Sequence, residues 1–142
     1  MTPDVAVWGG PGLFVAAFVG ATLVPISSEA AFVAALATGL PVPSALAWAT
    51  AGNSLGCALN YGLGWWGRAR VEPRLARSRT GRAALRWTER FGGAALALSW
   101  LPVLGDPLTL AAGVARVRPL VFAVVVVALR FGRYAALAWA VA

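Results

Sequence analysis

The chain has 142 residues, of which 60% are hydrophobic and only 12% are charged. A soluble domain of this length carries about a quarter charged residues, so the composition argues against an ordinary soluble globular protein. The net charge of +7 comes entirely from arginine, and eight of the 12 arginines lie in one connecting segment, which favours contact with anionic lipid headgroups over nucleic-acid binding.

The sequence predicts an all-α integral membrane protein that forms a single membrane domain. Four apolar segments are arranged as two pairs around a basic connector. The second and fourth segments are continuous, and a helix of their length measures roughly 35 Å, enough to cross a hydrocarbon core of about 30 Å. The predicted boundaries are 11–39, 43–66, 67–91 for the connector, 92–115 and 119–142.

Prolines interrupt the first and third segments, Pro25 in one and Pro102 in the other. Each segment is therefore either a re-entrant hairpin that returns to the same side of the membrane or a full span kinked at the proline. A limb such as 13–24 would be only about 18 Å long, too short to cross. Irregular backbone at membrane depth is tolerated only where protein or a water-filled cavity surrounds it.

The positions of the arginines favour the re-entrant alternative. If the first and third segments do not cross, every arginine from Arg68 to Arg118 lies on one side of the membrane, as the positive-inside rule prefers. We therefore expect a multi-pass protein of the bacterial inner membrane with a cytoplasmic connector. Within that connector, Thr80 is a candidate cap for a basic amphipathic helix on the membrane surface, and a solvated basic loop is the alternative.

A carboxylate follows each interrupting proline at the same spacing. Glu29 lies four residues after Pro25, and Asp106 lies four residues after Pro102. A second, longer spacing is also repeated: Glu29 and Asn53 are as far apart in the sequence as Asp106 and Arg130. Asn53 and Arg130 each lie in the next long apolar segment. Ionisable groups inside a membrane usually line a pathway, and matching interrupted segments in two halves of a chain indicate a transport site.

Four strings carry a resemblance to a known family: Phe18-Val-Gly-Ala-Thr-Leu-Val-Pro-Ile-Ser-Ser-Glu29, Ala51-Gly-Asn-Ser-Leu-Gly56, Leu98-Ser-Trp-Leu-Pro-Val-Leu-Gly-Asp106 and Arg130-Phe-Gly-Arg-Tyr134. Together they resemble the DedA superfamily, also called the SNARE-associated or VTT group, and in particular its short YqaA-like branch of bacterial inner-membrane proteins. The resemblance implies an inverted repeat, each half a re-entrant helical hairpin plus a transmembrane helix, and a flippase or scramblase activity toward phospholipid or polyprenyl phosphate.

The chain departs from the better-studied DedA branch in where its cationic groups lie. That branch has arginines flanking the second proline, where this chain has Ser99 and Gly105, and here Arg130 and Arg133 stand on the following helix. We expect these two arginines to attract a lipid phosphate while Glu29 and Asp106 balance them and accept protons. The predicted pathway residues are Glu29, Asp106, Arg130, Arg133 and Asn53, and the predicted hairpin breaks are Pro25, Ser27, Ser28, Pro102 and Gly105.

Two other functional classes compete with transport. In one, the acids and arginines form ion pairs that only hold the hairpins to the long helices of a structural or assembly protein. In the other, Glu29 and Asp106 form the carboxylate pair of an intramembrane hydrolase. The chain has no histidine and no visible nucleophile–base arrangement, so we expect no enzyme activity, metal or cofactor. The expected partners are membrane lipids, with protons as a second possibility and a homo-oligomer as the expected assembly.

Overall fold

The computed structural model describes residues 9–21, 28–100 and 105–141, and all regular secondary structure in this part of the chain is helical. The predicted all-α class is confirmed there. It contains seven α helices and one 3₁₀ helix: α1 (Gly10–Ala21), α2 (Ser28–Ala37), α3 (Val42–Trp66), α4 (Arg68–Ala76), α5 (Arg79–Phe91), the 3₁₀ helix (Gly92–Trp100), α6 (Gly105–Val114) and α7 (Pro119–Val141).

The chain divides into two compact units. The first consists of Met1–Gly56 with Arg130–Ala142, and the second of Cys57–Leu129. The long helices α3 and α7 are continuous through this division, so each contributes one part to the first unit and the other part to the second.

In the first unit, α1 and α2 pack against each other and against the first part of α3. At 12 and 10 residues they measure roughly 18 and 15 Å, so each is too short to cross a bilayer alone. A Schellman motif ends α2: the amide of Gly39 donates to the carbonyl of Leu36, and the amide of Leu40 donates to that of Ala35. Gly39 has a φ of 102°, which glycine adopts without the penalty of a Cβ, and the chain turns there into α3.

Glycines let α1 approach α3 closely. A Cβ added at Gly52 would overlap the carbonyl of Phe14, and one added at Gly56 would lie 2.6 Å from the carbonyl oxygen of Phe18. Both contacts advance by four residues on each helix, so α1 and α3 run in the same direction. Gly52 and Gly56 form a G-x-x-x-G pair, and the close backbone approach that such a pair permits occurs here between α3 and α1.

In the second unit, α4, α5 and the 3₁₀ helix pack around α6. The cap of α5 is Ser78 and not the predicted Thr80. The Oγ of Ser78 accepts a hydrogen bond of 2.9 Å from the amide of Gly81, and the helix begins at Arg79. Ala84, Leu85 and Trp87 pack with residues of α6 in one apolar cluster. The apolar face of α5 is thus directed into the protein, and its arginines remain exposed.

The helix boundaries of the two halves repeat along the sequence. The helices α2 and α6 begin at Ser28 and Gly105 and end at Ala37 and Val114, and α3 and α7 begin at Val42 and Pro119. In each of these three pairs, the second residue follows the first by the same number of positions in the sequence. Glu29 and Asp106 are offset by the same number of residues, as are Asn53 and Arg130. The internal repeat read from the carboxylates therefore extends to the boundaries of four helices.

Among the described helices, α7 is the one that is long and apolar enough to cross a membrane by length and composition. The 25 residues of α3 are interrupted by buried polar positions, Thr50, Asn53 and Asn60 among them, which lower its hydropathy. Both helices also expose large apolar side chains at helical spacing: Leu55, Leu59 and Leu63 on α3, and Leu120, Val124, Val127 and Phe131 on α7. Stripes of this kind are typical of surfaces that face lipid or another apolar partner.

Candidate functional site

The candidate site lies in the first unit, where the start of α2 meets the second part of α7. Glu29 occupies the first turn of α2, where the unpaired amides and the helix dipole favour a carboxylate. Its Oε1 forms an ion pair with the Nη2 of Arg133 on α7. The two side chains are 40% and 20% exposed, respectively, so the pair is only partly removed from the surface. Two of the predicted pathway residues are thus in direct contact.

A second contact beside the ion pair joins the same two helices. The hydroxyl of Tyr134 donates a hydrogen bond of 2.9 Å to the Oγ of Ser28, the first residue of α2. The ring of Tyr134 is buried, at 1% exposure, and lies 5.1 Å from the ring of Phe32. Ser28 was expected at the hairpin break, whereas Tyr134 was not expected in the site. Its position, one residue after Arg133 on the same helix, is the sequence signal that could have identified it.

Arg130 lies one helical turn before these residues on α7. Residues at i, i+3 and i+4 share one face of a helix, so Arg130, Arg133 and Tyr134 are neighbours on the surface of α7. Arg130 is only 4% exposed, and its buried Nε has no hydrogen-bond partner among the described residues. A guanidinium stays protonated in a protein, and a buried charge is costly unless it is paired. Arg130 is therefore the group here with unused capacity to bind an anion.

The charges described at this site sum to one positive charge. Arg133 and Glu29 cancel in their ion pair, and Arg130 remains. The amino-terminal end of α2 adds a further partial positive charge. The arrangement therefore attracts a negatively charged group, and oxygen acceptors of the phosphate type match the planar, multidentate guanidinium.

Asn53 is buried on the first part of α3, and its Nδ2 donates a hydrogen bond of 3.2 Å to the carbonyl of Ala17 on α1. In the second unit, Asn60 makes the corresponding kind of contact, from its Nδ2 to the Oγ1 of Thr109 on α6, also at 3.2 Å. Each amide thus holds one short helix, α1 or α6, to α3. The pathway role of Asn53 stays a prediction.

Several predicted site residues cannot be placed. Pro25, Ser27 and Pro102 lie outside the described residues. Gly105 begins α6 and Asp106 follows it, but the side chain of Asp106 lies outside the description. The expected association of Asp106 with Glu29 therefore stays a prediction.

Comparison with known proteins gave relatives along most of the chain. Two proteins called inner membrane protein YqaA, from Escherichia coli (strain K12) and Shigella flexneri, are each 42% identical over 113 residues, which cover 78% of this chain and 76% of the relative. An uncharacterized protein of Haemophilus influenzae is 38% identical over 109 residues, covering 71% of this chain and 67% of that protein. No family model and no solved structure matches the sequence.

Proposed function

Because the chain belongs to the family of the inner membrane protein YqaA, we propose that it is a lipid transporter of the DedA, or VTT, superfamily. The chain is an inner membrane protein. Its cargo in this proposal is a phospholipid or a polyprenyl phosphate, and its activity is that of a flippase or scramblase. The basic connector lies on the cytoplasmic side in this arrangement, where the positive-inside rule places arginines.

The proposed architecture is an inverted repeat. Each half contributes a re-entrant hairpin, α1 with α2 or the 3₁₀ helix with α6, followed by a spanning helix, α3 or α7. Three observations support this arrangement: α1 and α2 are short, α1 packs parallel to α3, and the helix boundaries repeat in the second half. In transporters built this way the substrate site lies where interrupted helices end inside the membrane.

The observation that carries the proposal is the buried guanidinium of Arg130. A charged side chain at the bilayer centre costs about 2.5–3.5 kcal/mol on insertion scales, and Arg130 has no counter-charge in the described part of the chain. A lipid phosphate would supply that counter-charge during passage and accept hydrogen bonds from the guanidinium. Arg130 therefore binds the phosphate in our mechanism.

The pair of Glu29 and Arg133 gives this mechanism a way to release its cargo. A phosphate that approaches Arg133 competes with Glu29 for the same guanidinium, because both are acceptors of its hydrogen bonds. A phosphate at Arg133 thus releases Glu29 from the pair, and the proposed coupling of lipid movement to protons belongs to this exchange. Asp106 is assigned the matching role in the second half by its repeated position.

One observation favours the structural alternative. The direct ion pair of Glu29 with Arg133, reinforced by the hydrogen bond from Tyr134 to Ser28, fastens α2 to α7 as a purely structural device would. In that case the protein serves assembly, and the loss of either charge weakens folding without an effect on lipid movement. The two functions differ in what they require of Arg130. A lipid transporter needs its guanidinium to bind phosphate, whereas a structural protein offers it no ligand.

The test is reconstitution of the purified protein into liposomes that carry fluorescent phosphatidylethanolamine or a labelled polyprenyl phosphate. We expect lipid to cross the bilayer faster than in empty vesicles, and Glu29→Gln and Arg130→Ala to lose most of that rate. Wild-type flux equal to that of empty vesicles would refute transport.

The matched control is Arg86→Ala, which removes an exposed arginine of α5 that belongs to the second unit. It should keep the wild-type flux. If Glu29→Gln and Arg130→Ala are as active as this control, transport stands but the residue assignment is wrong.

A further inference from the structure

A cavity of about 560 Å³ lies in the second unit, between the carboxyl end of α6, the start of α7 and the basic helices α4 and α5. Apolar residues such as Leu85 and Val121 form part of its wall. Five charged side chains also line it: Arg68, Glu72, Glu89, Arg116 and Arg118. None of these residues belongs to the site at Arg130.

The charged residues of the cavity are only partly satisfied by one another. Arg68 and Glu72 form an ion pair with an Nε–Oε2 distance of 3.3 Å. Glu89 and Arg118 have no such partner in the described ranges of the chain. The guanidinium of Arg116 lies over the ring of Trp65, with 5.1 Å from Cζ to the ring centroid. The cavity thus offers one free carboxylate and two arginines to a ligand that carries both signs of charge.

The backbone of Arg116 is strained. Arg116 has a φ of 54° in a Schellman motif that ends α6, with its amide donating to the carbonyl of Gly113 and the amide of Val117 donating to that of Ala112. The repeated position in the first half is Gly39, the residue type that suits this conformation. A positive φ costs more energy for arginine than for glycine, so an arginine at this position indicates that its side chain has a function.

The location of the cavity indicates a ligand that comes from the membrane. Arg118 immediately precedes α7, the helix that by length and composition can cross a bilayer, and Val121 on its first turn lines the cavity. The neighbouring Leu120 is 76% exposed, as suits a side chain at the edge of the lipid. Arg118 therefore stands at the end of a helix that can cross a bilayer, a position where basic side chains meet lipid headgroups, next to an apolar surface that can hold acyl chains.

We propose that this cavity binds the headgroup of a zwitterionic, amine-bearing phospholipid. The phosphate lies against Arg118 and Arg116, and the ammonium group donates hydrogen bonds to the carboxylate of Glu89. The apolar wall formed with α7 holds the upper part of the acyl chains. This binding does not depend on transport at Arg130.

The experiment is native mass spectrometry of the full-length protein in nanodiscs, comparing phosphatidylethanolamine with phosphatidylglycerol. The wild type should prefer the ethanolamine lipid by about tenfold, the ratio that one charge-assisted hydrogen bond supports. Glu89→Gln should lose this preference, because the ammonium contact is gone and the two arginines then favour the anionic lipid at least as much. Arg118→Gln should bind both lipids more weakly. Equal binding of the two lipids by the wild type, or unchanged binding in Arg118→Gln, would overturn the proposal.

Two further arms complete the design. Arg86→Gln removes an exposed arginine of α5 that does not line the cavity, so it should bind like the wild type. Soluble glycerophosphoethanolamine should compete weakly, and competition as strong as that of the intact lipid would overturn the assignment to a membrane ligand.

Discussion

Arg133 on α7 forms an ion pair with Glu29 in the first turn of α2, while Arg130, one turn earlier on the same face of α7, is buried without a partner in the described residues. The pair neutralises itself, so the excess positive charge of the site belongs to Arg130. This difference between two neighbouring arginines leads to opposite expectations for their removal.

Replacing the buried Arg130 with methionine should stabilise the protein and abolish lipid flux. The substitution removes a charge that folding buries and fills the space with an apolar side chain, so we expect a gain of about 1–3 kcal/mol in the free energy of unfolding. Thermal unfolding in detergent, measured together with flux in liposomes, checks both effects. A lower unfolding midpoint would show that Arg130 has a structural partner.

The ion pair of Glu29 and Arg133 should give a modest coupling energy. Because the side chain of Glu29 is 40% exposed, solvent screens the interaction, and we expect a coupling of about 0.5–1 kcal/mol. The measurement is a double-mutant cycle with Glu29→Gln, Arg133→Gln and the double variant. Strictly additive single effects would mean that the two side chains do not interact.

Tyr134→Phe isolates the hydrogen bond to Ser28 from the packing of the ring. The phenylalanine ring keeps its contact with Phe32, so the loss should be about 0.5–1.5 kcal/mol. Tyr134→Ala removes the buried ring as well and should cost about 3–5 kcal/mol. Equal unfolding midpoints for the two variants would contradict the packing described for this ring.

Gly52→Ala should force α1 away from α3. The added methyl group would overlap the carbonyl of Phe14, which is backbone and cannot rotate away, so we expect a loss of about 1–3 kcal/mol.

The matched control is Gly132→Ala on α7, where the added Cβ has no heavy atom within 4 Å apart from its own chain neighbours and the backbone of its own helix. It should be neutral or stabilising by up to about 1 kcal/mol, because alanine favours the helix more than glycine does. The comparison of the two unfolding midpoints checks the close contact. A harmless Gly52→Ala would show that the helices are further apart.

Arg116→Gly should stabilise the fold and weaken headgroup binding. Glycine adopts the positive φ of this position without the steric penalty of a Cβ, which is about 1–2 kcal/mol, although the more flexible unfolded chain offsets part of that gain. We expect a net stabilisation of up to about 1 kcal/mol by thermal unfolding. Gly39→Ala makes the reverse change at the repeated position and should destabilise the protein.

Local patterns in the sequence predicted the helical class and the repeat. The apolar segments predicted bounds of 43–66 and 119–142, close to the observed α3 (Val42–Trp66) and α7 (Pro119–Val141). The predicted breaks at Ser28 and Gly105 coincide with the first residues of α2 and α6. The G-x-x-x-G pair of Gly52 and Gly56 is also a local pattern, and it lies at the close contact with α1 because a missing Cβ permits backbone approach.

The sequence was less informative about partners that lie far apart in the chain. The hydrogen bond from Tyr134 to Ser28 joins residues 106 positions apart, and no local periodicity reports such a pairing. The same holds for the difference between Arg130 and Arg133, since both are arginines in one apolar helix and only tertiary packing gives one of them a carboxylate. The apolar face of α5 was expected on the membrane surface, and it packs on α6 because that face meets an apolar helix of the same unit.

The most direct test of the central claim is the distance from the Arg130 guanidinium to a lipid phosphorus in a bilayer. Solid-state NMR of protein with ¹³C-labelled guanidinium carbons measures ¹³C–³¹P dephasing, and the difference between wild type and Arg130→Lys isolates this one residue. Our account predicts a short-range phosphorus contact that disappears in the variant. Identical dephasing in the two proteins would contradict it, because Arg130 would then not bind lipid phosphate.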